Sequence, residues 1–156
     1  MSSIIFLFGP SCSGKSTLGK ALQNNLGSEW TYIDRDDLIE QKLCTDSNAD
    51  QMLEEKIQLI KNKMIIDAQV PWKEKQKGEF YFMVLPPLEV LLERDANRTL
   101  KLKRSEKRAY YAQQYVLETH HTLSRLPREN FDYCFDSSRE SILEEINRVK
   151  ITLKLS

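Results

Sequence analysis

Ile4-Ile5-Phe6-Leu7-Phe8 runs directly into Gly9-Pro10-Ser11-Cys12-Ser13-Gly14-Lys15-Ser16-Thr17, an apolar pentapeptide followed by G-x-x-x-x-G-K-S. Five consecutive β-branched, aromatic or leucine side chains suit a strand buried on both faces of a parallel sheet. Behind the motif, Leu18, Ala21, Leu22 and Leu26 keep helical spacing, and Gly27 stands where a C-terminal cap stops a helix. A phosphate chain needs inward-pointing backbone N–H groups, glycines that let the backbone come close, a lysine for the terminal phosphates and a hydroxyl for Mg²⁺. Gly9, Gly14, Lys15 and Ser16 fill those roles in order, and Pro10, Ser11, Cys12, Ser13 and Thr17 complete a loop expected to hold a nucleoside triphosphate. The bland alternative is a glycine-rich turn in an ordinary βα unit, which has no use for the lysine and hydroxyl in this register.

The chain has 156 residues, enough for one sizeable core, and is expected to form a single domain over residues 1–156. Lys+Arg and Asp+Glu both number 23, so bulk charge argues for neither a nucleic-acid partner nor a membrane surface. The apolar runs are strand-length, and Met1-Ser2-Ser3 has no basic n-region, so a soluble cytoplasmic enzyme is expected. Cys12, Cys44 and Cys134 are odd in number and far apart, which suggests neither a disulfide framework nor a zinc site. His120 and His121 are adjacent, so a helix points them in different directions, and both read as structural.

Working outward from the loop, Trp30-Thr31-Tyr32-Ile33 predicts a second strand ending at Asp34, and Asp37 with Glu40 has capping-box spacing for a helix start. Met52, Leu53, Ile57 and Ile60 predict an amphipathic helix from Ala49. Lys61-Asn62-Lys63 reads as a break before a third strand at Met64-Ile65-Ile66-Asp67, which a helix running on toward Pro71 would remove. Glu79 to Leu85 is a strand closed by Pro86-Pro87, and Leu88, Leu91, Leu92 and Ala96 mark the next helix. A helix carrying Tyr111, Tyr115 and Leu123, a strand over Phe131–Asp136 and a closing helix through Ile142, Ile146 and Val149 finish the chain. Strands alternating with helices predict an α/β fold of three layers: a mostly parallel five-stranded sheet flanked by helices, with ligands at the carboxyl ends of its strands.

Phosphoryl transfer needs metal placement, charge neutralisation and a base that orients the incoming oxygen. Asp34 and Asp36 are two residues apart, which in extended chain points both carboxylates toward the mouth of the loop, and one of them can be the base. Capping is the competing use and accounts for Asp37. Asp67 ends an apolar run, where a carboxylate can hold a magnesium-bound water. Asp136 also follows a strand and reads as structural. Arg94, Arg98, Lys101, Lys103, Arg104, Lys107 and Arg108 suit a basic lid over residues 98–110, with Arg94 and Arg98 the candidates for phosphate contact and the lysines facing water. Tyr110, Tyr111 and Tyr115 offer base stacking for RNA, against a core reading that their spacing favours.

With these segments in hand, the chain resembles the P-loop small-molecule kinases, in the branch of chloramphenicol phosphotransferases, zeta toxins and gluconate kinases. The resemblance rests on GPSCSGKST, on Tyr32-Ile33-Asp34-Arg35-Asp36-Asp37-Leu38 as D-x-D-x-L, on Ile65-Ile66-Asp67, on Val84 to Arg98 with its P-P-L-E-V-L-L-E-R-x-x-x-R pattern, and on Phe131 to Ser138. It implies ATP and Mg²⁺ as cofactors held by Lys15 and Ser16, with Asp34 beside Ser16 at the metal. It further implies Asp36 as catalytic base, Asp34, Asp36 and Asp67 near the acceptor, and Arg94 and Arg98 on the lid side. Where several relatives carry an arginine three residues after the second aspartate, this chain has Ile39, and the span from Asp67 to Glu79 is short. A GTPase would need N-K-x-D, which Asn62-Lys63-Met64-Ile65 lacks, and a shikimate-type kinase would show a glycine cluster near the third strand. The expected activity is transfer of the γ-phosphoryl group of ATP to a hydroxyl of a small molecule. The rivals are a polynucleotide or nucleotide-sugar kinase and a non-catalytic ATP-binding switch; neither a nucleic-acid partner nor a membrane is expected, and the oligomeric state is left open.

Overall fold

A computed structural model describes residues 3–41, 45–60 and 63–154. Cys44 and the Lys61-Asn62 part of the expected break lie outside them. The elements run β1 (Ile4–Phe8), α1 (Lys15–Leu26), β2 (Trp30–Asp34), α2 (Arg35–Glu40), a 3-10 turn (Asp46–Asn48), α3 (Ala49–Leu59) and β3 (Lys63–Asp67). They continue with β4 (Glu79–Val84), α4 (Leu88–Leu102), α5 (Glu106–Ser124), a second 3-10 turn (Arg128–Asn130), β5 (Tyr133–Phe135) and α6 (Ile142–Lys154). The five strands form one sheet in the order β2-β3-β1-β4-β5, every pairing parallel. The third strand exists: Ile5 is opposite Ile65 and Asp34 is level with Asp67, which brings two carboxylates to the same end of the sheet.

β1 is buried on both faces, as its unbroken apolar run predicts. Phe6 and Phe8 pack with Leu53 of α3 and Leu123 of α5, while Ile5 and Leu7 pack with Leu18 and Leu22 of α1 and Ile146 and Val149 of α6. The central strand is therefore held between two apolar layers, and the loop leaving it starts from a fixed point.

Four expectations need correction. Asp34, not Asp37, caps α2: its backbone is extended (φ −103°, ψ 124°) and its carboxylate accepts the Asp36 N–H at 2.8 Å, so Asp36 stands in the first helical turn rather than in extended chain. Strands and helices do not alternate throughout, because residues 68–78 join β3 to β4 without a helix, tied down by Trp72 against Phe6 and by Lys73 between Glu54 and Glu79. β5 is only three residues long, since the Asp132 carboxylate takes the Tyr81 N–H at 2.8 Å. Tyr110 and Tyr111 are exposed, because the inward face of α5 is set by Val116, Thr119 and Leu123. Asp136 is structural as expected, although it organises the turn before α6 by accepting the Ser138 N–H at 2.9 Å, and Ser141 meets the first turn of that helix.

Helix α1 crosses the sheet closely enough that Gly19 has no room for a side chain. A Cβ there would overlap Cε2 of Tyr32, whose hydroxyl is committed to Asp67 at 2.8 Å. Gly19→Ala gains about 1 kcal/mol of helix propensity but forces the ring and its hydrogen bond to move, and a net loss of about 1–2 kcal/mol is expected in urea denaturation.

Candidate functional site

Between β1 and α1 the loop turns on two left-handed residues, Cys12 (φ 68°) and Gly14 (φ 99°), and Gly14 is the N-cap of α1 with no side chain bonded to the helix end. The N-terminal N–H groups of α1 therefore lack a side-chain cap, as an anion site requires. Ser13 Oγ is buried without a hydrogen-bond partner among the described residues, and Lys15 is 5% exposed. A loop with uncapped donors, an unspent hydroxyl and a buried ammonium fits a triphosphate with its metal.

Lys15, Ser16 and Tyr32 converge on Asp67 at the end of β3. Lys15 Nζ lies 3.0 Å from one carboxylate oxygen, while Ser16 Oγ and Tyr32 Oη each donate to the other at 2.8 Å. Asp67 is 1% exposed, so the ammonium and two hydroxyls are what make its charge tolerable there. Burial and the Asp67 charge push the Tyr32 phenol above its ordinary range, which keeps it a donor at all working pH. Ser16 thus meets Asp67 rather than Asp34. Asp34 is pushed up to about 6 by burial and by Asp67, against the opposing hydrogen bond from Asp36 N–H.

Asp36 projects from the first turn of α2 into the same cleft as the loop, a space of about 820 Å³ that Lys15, Ser16, Arg94, Arg98, Asp34 and Asp37 also line. Gln69 Nε2 donates to Asp36 Oδ1 at 3.1 Å, and the Gln69 carbonyl accepts the Gly9 N–H at 3.2 Å. One residue of the β3–β4 connection therefore links the loop to the carboxylate across from it. Oδ2 of Asp36 has no hydrogen-bond partner among the described residues.

The two arginines of α4 divide their work. Arg94 spends Nη1 on the carbonyls of Cys12 (3.1 Å) and Ser13 (3.3 Å) and on Ser137 Oγ (3.0 Å), and Nη2 on the Ser137 carbonyl (3.2 Å), bracing the loop from outside. Ser137 Oγ also bonds to the Ser13 carbonyl. Arg98 is exposed at the rim, with Nη1 3.3 Å from Ser11 Oγ and 3.7 Å from Cys12 Sγ. Within residues 98–110, Arg104 pairs with the buried Asp95 at 2.9 Å and fastens the α4–α5 turn. His121 Nε2 lies 3.1 Å from Arg125 Nη1, and the pKa of His120, on the same helix α5, is lowered mainly by burial.

Sequence reasoning missed Tyr32, Gln69, Ser137 and Glu145. Glu145 of α6 is 1% exposed, neither carboxyl oxygen has a hydrogen-bond partner among the described residues, and burial pushes it up to about 7 with help from Glu140. Because the folded chain holds this proton above the ordinary carboxylate range, the cost of ionising Glu145 is absent in acid, grows as pH rises past about 4.5, and is complete above about 7. Glu145→Gln is expected to raise stability at about pH 8 by about 1–2 kcal/mol and to leave it little changed at about pH 4, measured by urea denaturation at both.

The sheet order, the glycine-bounded loop and the Lys15–Asp67–Ser16 cluster make up a P-loop architecture, and the fold is one shared with solved small-molecule kinases. Residues 2–74, which carry the loop, β2, α2 and β3, match the family model of the chloramphenicol phosphotransferase-like proteins. Among solved structures, the fold is similar to shikimate kinase from Acinetobacter baumannii in complex with shikimate, at 18% identity and a TM-score of 0.64, covering 99% of this chain and 94% of that one. It is equally similar to a gluconokinase from Sinorhizobium meliloti, at 19% identity and a TM-score of 0.64, covering 98% and 92%. No curated protein matches the chain. At 18% identity the likeness to shikimate kinase is one of fold. No helix among the described residues is long and apolar enough to cross a membrane.

Proposed function

We propose that this chain is an ATP-dependent kinase, one domain over residues 1–156, that moves the γ-phosphoryl group of ATP to a hydroxyl of a small-molecule acceptor. The observation that carries the reading is the placement of Asp36: a carboxylate with one oxygen steadied by Gln69 and the other unspent, in the same cleft as Lys15 and Ser16. A magnesium nucleotide bound in the loop supplies the phosphoryl group and the metal charge that balances it.

The residues of the chain do the rest. The uncapped N–H groups of α1, with the loop from Gly9 to Thr17, hold the phosphates; Lys15 neutralises charge that grows on the transferred group. Ser16 and Asp67 would hold the metal, with Asp34 near enough on the neighbouring strand to steady its waters. Asp36 accepts the proton of the acceptor hydroxyl as its oxygen attacks, and Gln69 fixes the carboxylate that receives it. Arg94 keeps the loop in shape, while Arg98 is the arginine free to meet phosphate oxygens when the segment 98–110 closes as a lid. Mixing the chain with Mg-ATP and hydroxylated compounds should give ADP release that depends on the acceptor and disappears in Asp36→Asn.

The likeness to a shikimate kinase in complex with shikimate and to a gluconokinase supports a small-molecule acceptor. A polynucleotide acceptor would bring phosphates to the wall formed by Asp34, Asp36 and Asp37, where like charges oppose it.

A further inference from the structure

Glu145 lines the cleft, yet neither phosphate binding nor proton transfer at Asp36 gives it any work. It is 1% exposed, and neither carboxyl oxygen has a hydrogen-bond partner among the described residues. The charged groups around it are accounted for elsewhere. Arg94 of α4 spends its guanidinium on the loop carbonyls and on Ser137. Glu140, in the turn between β5 and α6, accepts the Asp136 N–H at 2.7 Å, and Glu144 of the same helix accepts the Ser141 hydroxyl at 3.2 Å. On α1, packed against α6 through Leu18 and Leu22, Lys15 is paired with Asp67 and Lys20 is exposed. A buried carboxyl with nothing to bond costs stability that a leucine at the same place would not. A group kept at that cost on the wall of a cleft points to a ligand.

The transferred phosphate must face Asp36, where the acceptor hydroxyl arrives, so the rest of the nucleotide runs from the loop toward the opposite wall. That wall is the turn after β5 and the start of α6: Ser137, which bonds to the Ser13 carbonyl, then Ser141, Ile142 and Glu145. Half-buried Ile142 offers apolar surface to a flat ring, and Glu145 offers an unspent carboxyl to the edge of that ring. Adenine presents an amino N–H beside a ring-nitrogen acceptor, and a neutral carboxyl, with one O–H and one C=O, matches both. An ionised carboxylate accepts only; it suits the two adjacent N–H donors of guanine and sets a lone pair against the adenine ring nitrogen. Burial first, then Glu140, pushes the Glu145 carboxyl up to about 7, with Arg94 pulling the other way and Glu144 adding to the rise, so the neutral form is the one present below that pH.

Resting on the kinase reading above, we propose that Glu145 reads the base of the nucleotide donor, its neutral carboxyl pairing with the ring nitrogen and amino group on the edge of adenine. The carboxyl is closed off from solvent in the free chain, so engagement turns the side chain toward the cleft, a change between staggered rotamers that the hydrogen bonds gained offset.

The test is calorimetric titration of the whole chain, with no acceptor present, by the magnesium complexes of ATP, GTP, 2′-deoxy-ATP and purine riboside triphosphate, which lacks the adenine amino group. Comparing nucleotides at one pH cancels the titration of their common triphosphate and of Asp34. In acid the parent should bind ATP about fivefold more tightly than purine riboside triphosphate, and the gap should close in Glu145→Leu. Between about pH 6 and about pH 8 the advantage of ATP over GTP should shrink about tenfold in the parent, as the neutral carboxyl is lost. In Glu145→Gln, whose amide keeps a donor and an acceptor at every pH, that advantage should stay constant. Urea denaturation shows that both variants fold. A gap between ATP and purine riboside triphosphate that is absent from the parent, or that survives in Glu145→Leu, overturns the proposal and leaves the kinase reading standing. So does a preference for ATP over GTP that ignores pH in the parent, and so does a gap between ATP and 2′-deoxy-ATP that closes in Glu145→Leu, which would assign the carboxyl to the ribose. Binding of none of the four nucleotides overturns this proposal and the kinase reading together.

Discussion

Lys15→Ala is expected to erase the stabilisation that Mg-ATP gives the parent chain. A ligand present at about a hundred times its Kd raises stability by about 2.7 kcal/mol, and that increment should fall to near zero when the ammonium is removed. The substitution also acts on the free protein. Asp67 is 1% exposed and would keep only the hydroxyls of Ser16 and Tyr32, so the unliganded chain should lose about 1–3 kcal/mol as well. The two effects separate in one experiment, thermal melts with and without Mg-ATP. A purely structural lysine would lower both curves and preserve the gap between them; a phosphate-binding lysine closes the gap.

Asp36→Asn is expected to lower kcat by about 10²–10⁴-fold, the usual worth of a positioned base, while leaving the Mg-ATP increment in melting temperature intact. The amide keeps the shape of the carboxylate, and its oxygen can still accept the Gln69 Nε2–H that now lies at 3.1 Å, so the fold of α2 has no reason to change. What is lost is the capacity to take a proton. Unchanged turnover in this variant would mean that Asp36 is not the base and that Asp34 or Asp67 must be reconsidered for the role.

Most of the donor half was legible because its signals are local. The apolar run of β1, the glycine-bounded loop and the first turn of α1 lie within about fifteen residues, and each constrains the next. The cap of α2 was harder. Asp34, Asp36 and Asp37 are all good caps by residue type, and only the backbone decides: Asp34 is the one in extended conformation where the strand ends. The third strand was legible as Met64-Ile65-Ile66-Asp67, with its last residue a candidate for the metal's water, yet the partners of that residue were not, because Lys15, Ser16 and Tyr32 come to Asp67 from two other elements.

Contacts across long stretches of chain explain the rest. Gln69 is 33 residues from Asp36, and nothing in its neighbourhood marks it until β2 and β3 are laid side by side. Arg94 was readable as a functional arginine, but its partners on the loop are 81 and 82 residues away, and its place as a brace follows from how α4 crosses the loop. Tyr110 and Tyr111 have the spacing of core residues and lie outside the core, since helical periodicity gives the width of a buried face and packing chooses its direction. Glu145 sits on the apolar face of α6 between Ile142 and Ile146, where only the tertiary structure shows a carboxyl with no partner among the described residues.

The central claim is that this cleft delivers a phosphoryl group from ATP to an acceptor oxygen. Following the radiolabelled γ-phosphoryl group of ATP in the presence of a panel of hydroxylated small molecules tests it most directly. The account predicts label recovered on the acceptor in step with ADP, abolished in Asp36→Asn. Label that stays on ATP, or that appears only as inorganic phosphate whatever acceptor is present, would contradict it.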